Sequence, residues 1–234
     1  MEKYQKDFDY SYCLGMSLTM EALLQKPDFV KEVILSEKAY KNSQLDHLLD
    51  LCEKNNIKIV YDDKTIDKLS IKENCYCIGV FDKFYFKPEG RRHIVLYGFN
   101  DYGELGTVLR SSIAFDFHDI ILVHSQIDYF DPRCIRASMG SIFHTNISQY
   151  DDLNSYLNTH KDYEIYPFVS ESDRKLSTLK LHDPYAIVIS QDPDMLDGLF
   201  DNGISIEQNT EKKMSLSIRS SIILSYAYDR NRRR

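Results

Sequence analysis

The residues best equipped for chemistry in this chain are its arginines, two serine-bearing helix starts and one carboxylate-rich turn. Arg110 stands six residues after Glu104, near the start of a helix that follows an apolar strand, and Arg133 and Arg136 lie close together further on. A guanidinium keeps its charge and presents a planar fork of donors that matches phosphate oxygens. Such residues suit positioning and polarisation better than proton abstraction. The plain alternative for a lone helix arginine is a place in solvent, and Arg136 would equally buttress its loop. Ser190-Gln191-Asp192-Pro193-Asp194 reads as a turn that starts a helix. Ser215, two residues before Ser217, suits the N-cap of a final helix. The 230–234 tail adds four more arginines, able to track a phosphate backbone or simply to lie in water.

The composition narrows the classes of function. The chain has 234 residues, 43% of them hydrophobic, enough for a full core in one large or two small domains. No run approaches the roughly 18 apolar residues of a membrane helix. Met1 to Asp7 is charged without a following apolar core, so no secretory signal is expected, and the cytoplasm is the expected location. The cysteines at 13, 52, 75, 77 and 134 lack the spacing of a zinc site or redox pair, so no metal is expected. They read as thiols, mostly buried, in a reducing compartment. The net charge of −7 argues against a strong nucleic-acid binder. Its distribution softens that objection: residues 1–90 hold 13 Lys and no Arg against 16 acids, and all 11 arginines follow.

The elements that must position these residues follow from periodicity. Residues 17–25 read as a helix opened by Ser17 or Thr19, 31–35 as a strand, and 43–55 as a helix with Leu45, Leu48, Leu49 and Cys52 on one face. Residues 57–61 form a strand, Asp62 or Asp63 caps a helix to Leu69, and Tyr76 to Phe81 form another strand. This makes an α/β domain over 1–82. Pro88 and Gly90 mark 83–92 as a linker. A second domain, 93–234, alternates strands at Ile94–Tyr97, Ile120–Val123, Glu164–Phe168 and Ala186–Ile189 with helices over Leu105–Phe115, 148–158 and Met214–Tyr228. Such alternation predicts a mostly parallel sheet covered on both faces, with ligands at the strands' carboxyl ends, after Tyr97, Ile189 and Ile206. A dinucleotide oxidoreductase fits poorly, because no Gly-x-Gly-x-x-Gly follows any strand.

Four segments in order resemble the SpoU–TrmH (SPOUT) family of RNA methyltransferases. Asp101-Tyr102-Gly103-Glu104-Leu105-Gly106-Thr107-Val108-Leu109-Arg110 is similar to its Asn-x-Gly-x-x-x-Arg motif. Pro132 to Phe143 is similar to its Arg-Ala-Ser-x-Gly segment. Tyr185 to Ile189 stands at its cofactor-loop strand, and Ser215-Leu216-Ser217 at its Ser-Leu-Asn. Residues 1–82 resemble the small ribosomal-protein-like RNA-binding domain that precedes many of these enzymes. The resemblance implies a trefoil-knot α/β domain at the C-terminus, a homodimer through it, S-adenosylmethionine as donor, and 2′-hydroxyl methylation of rRNA or tRNA. It assigns catalysis to Arg110, Glu104 and Ser215, and cofactor contacts to Ile189, Ser190, Asp192, Ile206, Leu216 and Ser217. RNA contacts fall to Arg110, Arg133 and Arg136, with the Arg110 guanidinium on phosphate and polarising the ribose hydroxyl.

The chain departs from that pattern where chemistry is expected. Glu104 replaces an asparagine, so a group that both donates and accepts becomes one that only accepts. It is expected to pair with Arg110 and draw it from RNA. Ser190 to Asp194 replaces Gly-(Asn/Ser)-Glu-Gly: Ser190 adds a Cβ, Pro193 removes a donor, and Asp192 keeps a shorter carboxylate. Ser217 replaces an asparagine and Arg219 a small residue. Two readings stand together, an active 2′-O-ribose methyltransferase and a catalytically silent RNA-binding paralogue with weak or lost cofactor binding.

Overall fold

The computed structural model describes residues 1–70, 74–210 and 212–232, so Arg233 and Arg234 of the arginine tail lie outside the described residues. The chain divides into two compact units, Met1–Phe84 with Asp128–His144, and Tyr85–Ile127 with Thr145–Arg234.

In the first unit, β1 (Tyr10–Leu14), α1 (Met16–Gln25), β2 (Val30–Leu35), α2 (Leu45–Lys54), β3 (Lys58–Tyr61), α3 (Asp63–Leu69) and β4 (Cys77–Asp82) build a four-stranded sheet in the order β1-β4-β2-β3. β4 pairs antiparallel with β1 and β2, and β2 pairs parallel with β3. The strand β1 was not anticipated. Its Tyr-Ser-Tyr-Cys-Leu run is held by pairing with residues some seventy positions away, which no local window contains. Neither Ser17 nor Thr19 opens α1. Gly15 holds the N-cap position at φ 124°, and the Thr19 hydroxyl donates back to the Gly15 carbonyl at 3.0 Å. Asp62 caps α3, accepting from the Thr65 N–H at 3.0 Å.

In the second unit, β5 (Arg92–Tyr97), α4 (Tyr102–Ala114) and β6 (Asp119–Val123) come first. The chain then contributes α5 (Pro132–Ala137) to the first unit. The second unit continues with β7 (Asn146–Tyr150), α6 (Leu153–Thr159), β8 (Glu164–Phe168), β9 (Tyr185–Ser190) and α7 (Leu216–Arg232). Its five strands are all parallel, in the order β7-β6-β5-β9-β8. β6 and β9 are buried along their whole length, as strands covered on both faces must be. The helix expected over 148–158 is corrected. Residues 148–150 belong to β7, paired with β6, and the helix starts only after Asp152, whose carboxylate caps it by accepting from the Ser155 N–H at 2.8 Å.

One further feature shapes the site. Ile204 donates to the Pro167 carbonyl at 2.8 Å and accepts from the Val169 N–H at 2.9 Å. Next to it, Ser205 donates to the Arg174 carbonyl at 3.0 Å and accepts from the Leu176 N–H at 3.0 Å. The 204–205 stretch is thus hydrogen-bonded between both limbs of the 168–176 loop. Among the described residues no helix is long and apolar enough to cross a membrane, and no group of three or more His, Cys, Asp or Glu is placed to hold a metal ion. Cys13, Cys52, Cys77 and Cys134 are buried thiols and Cys75 is half-buried.

Candidate functional site

The carboxyl ends of β8 and β9 open into a cavity of about 1120 Å3 in the second unit. Its wall is made by the loop after β8 around Ser170, the turn after β9 at Pro193 and Asp194, and the segment from Ser205 through Lys213 and Met214 to Arg219. This is where parallel sheets place ligands.

The turn after β9 is closed by its own polar groups. Ser190 is fully buried, and its hydroxyl donates to the Asp192 carbonyl at 2.5 Å. Asp192 accepts from the Asp194 N–H at 3.2 Å, and Pro193 is buried without a donor of its own. Lys213 bridges the two carboxylates, 2.8 Å from Asp192 and 2.6 Å from Asp194. These partners raise the Lys213 pKa, and Lys213 with Ser170 lowers that of Asp194.

Arg219 is the unexpected member of the wall. It is 5% exposed, one turn into α7, and its guanidinium faces the end of β9. Nη2 donates to the Ser190 carbonyl at 2.7 Å and the Gln191 carbonyl at 2.8 Å, and Nε donates to the Met214 carbonyl at 3.1 Å. Burial pushes its pKa down, opposed by the negative charges of Glu104 and Asp192. Burying a guanidinium demands that its donors be answered, and three backbone carbonyls answer Nε and Nη2.

Of the residues expected to hold a cofactor, Ile206 lines the cavity. Ile189 is fully buried within β9 and Leu216 nearly so at the start of α7. Ser215 precedes α7, its hydroxyl 3.4 Å from the Ile218 N–H and 3.0 Å from the Ser217 hydroxyl, which matches the N-cap reading. Arg110 is exposed on α4. The expected pair with Glu104 does not form: among the described residues no ion pair joins Glu104 to Arg110. Arg133 and Arg136 lie on α5 in the first unit. Arg133 is engaged by Asp131 at 2.7 Å, whereas Arg136 is exposed. The reading of the sequence passed over Lys213 and the Ser170 to Asp173 loop. The run of small polar residues there was the available signal.

Residues 91–191 match the SpoU rRNA Methylase family. No curated protein matches the chain in sequence. Among solved structures, an AdoMet-bound rRNA methyltransferase from Sinorhizobium meliloti is 18% identical, with 94% of this chain and 87% of that one covered and a TM-score of 0.75. The SpoU methyltransferase AviRb from Streptomyces viridochromogenes is 14% identical over 97% of this chain and 91% of its own, with a TM-score of 0.80. A structure described as an RNA 2′-O ribose methyltransferase is 17% identical over 95% and 89%, with a TM-score of 0.76. At these identities the likeness is one of fold, and it spans nearly the whole chain, while the sequence match covers the segment from β5 to the end of β9. That segment, which carries Arg110 on α4, is similar to the SpoU rRNA Methylase family.

Proposed function

We propose that this protein is an RNA-binding member of the family, acting on rRNA or tRNA in the cytoplasm, that binds S-adenosylmethionine weakly or not at all. The turn after β9 carries this reading. Its hydroxyl, carboxylates and lysine satisfy one another, and it is built of serine and proline where close approach to a ligand favours glycine. S-adenosylmethionine presents an amino group, an ammonium and a sulfonium, and needs free acceptors. At this turn the Ser190 hydroxyl is spent on the Asp192 carbonyl and both carboxylates are held by Lys213, so the donor fits poorly there.

A second reading, an active 2′-O-ribose methyltransferase using S-adenosylmethionine, is favoured by the cavity itself, which is ample for such a ligand. In both readings Arg110, exposed and without an ion pair among the described residues, is the group that takes an RNA phosphate. The test joins calorimetry with S-adenosylmethionine to RNA binding across a salt series. No cofactor heat is expected up to about 1 mM, the weak limit of ordinary specific binding. RNA affinity is expected to fall with salt, and Arg110→Ala to reduce the salt slope by about one. Low-micromolar cofactor binding with methyl transfer to RNA decides for the second reading.

The same proposal includes a trefoil knot, supported by the hydrogen bonds on both sides of Ile204 and Ser205, and an independent RNA-binding domain over residues 1–82. It also includes a homodimer through the C-terminal domain. On α7, Leu216, Ile223 and Leu224 are buried, while Ile218 and Ile222 are 52% and 38% exposed one turn apart. Sedimentation is expected to give twice the chain mass at micromolar concentration, and a monomer for Ile218→Asp with Ile222→Asp. A wild-type monomer there rejects the dimer.

A further inference from the structure

We propose that Arg219 is the residue that excludes S-adenosylmethionine from the cavity, by taking the carbonyl acceptors of Ser190 and Gln191 at the end of β9. This rests on the reading of a donor site that has closed, and it names the group that closes it.

The carbonyls at the end of a parallel strand are the fixed acceptors that a ligand in this position would use. One guanidinium nitrogen holds both, at 2.7 and 2.8 Å, while Nε ties the same side chain to Met214. A guanidinium has no acceptor to offer in return. The amino and ammonium donors of S-adenosylmethionine therefore compete with a charged donor for these oxygens, and its ammonium and sulfonium approach a third cation that is almost wholly withdrawn from water. The negative charges of Glu104 and Asp192 oppose the effect of burial on Arg219, and the helices that carry Glu104 and Arg219 are joined by the Ser111 and Ser221 hydroxyls at 2.8 Å. A buried cation without such compensation would be costly.

The experiment titrates S-adenosylmethionine by calorimetry into the full-length wild type, Arg219→Ser, the double variant Glu104→Asn with Arg219→Met, and Glu104→Asn alone. Methionine keeps length and volume while removing every donor, and the paired change leaves no uncompensated carboxylate, so the double variant retains a filled interior. Wild type is expected to bind the cofactor no tighter than about 1 mM. Arg219→Ser and the double variant are expected to gain at least about tenfold, the scale of one recovered hydrogen bond. Glu104→Asn alone is expected to melt at a lower temperature and gain no affinity. A cooperatively melting double variant that binds no better overturns the assignment of Arg219 and leaves the closed-site reading standing. So does a gain in Glu104→Asn alone. Tight binding by the wild type overturns the closed-site reading itself.

Discussion

Lowering the pH from 7 to 5 is expected to cost the second unit about 2 kcal/mol of stability through a single side chain, His93, and about 3 kcal/mol by pH 4. His93 is fully buried at the start of β5. Its Nε2 lies 3.1 Å from the Gly90 carbonyl and its Nδ1 2.9 Å from the Tyr156 hydroxyl, so the neutral ring is satisfied with Nε2 donating and Nδ1 accepting. Tyr163 stacks on it at 4.5 Å and His160 meets it edge-on at 4.9 Å. Burial pushes its pKa down to about 4, the nearby His160 adds to that, and Asp119 opposes it. The unfolded chain takes up the proton near pH 6.5, while the folded state refuses it until about pH 4. The stabilisation is therefore complete above 6.5 and is lost as the pH falls through that window. Urea unfolding at pH 7 and pH 5 measures it. The difference should be present in the wild type and largely gone in His93→Gln; an equal acid loss in both would reject His93 as its source.

Phe81→Ala is expected to cost about 3–5 kcal/mol in the first unit, the largest effect of any single truncation proposed. Phe81 is 1% exposed on β4. Its ring meets Phe143 edge-on at 5.2 Å and Phe130 at 6.2 Å, and Phe84 packs against Phe130 at 5.1 Å. Phe130 and Phe143 flank α5 in sequence. The cluster therefore joins the 128–144 segment, with Arg133 and Arg136, to a sheet made by residues 10–82. Removing the central ring leaves a void between two stretches of chain that no disulfide joins. Hydrogen exchange should show early opening of 128–144 in the variant. A melting transition unchanged within 1 °C, where about 4 °C or more is expected per kcal/mol, would show that the cluster does not bear on stability.

Local information sufficed for much of the architecture. The apolar runs of β2, β5, β6 and β9 and the stripe of α2 follow from the need to bury one face or two. Asp62 capping α3 was legible because a cap acts on residues only two or three positions away. The resemblance to the family, too, was legible in short segments, and the family match spans residues 91–191. Tertiary structure decided what lies between distant positions. The strands β1 and β7 exist because β4 and β6 offer them edges. Lys213 is a site residue because the chain returns it to a turn 20 residues behind. The Arg219 guanidinium meets carbonyls 29 and 28 positions behind it, which no local window contains. Sequence names the charge and the length of each side chain. Which carbonyls a buried guanidinium reaches depends on the packing of α7 against β9, and that is a property of the folded chain alone.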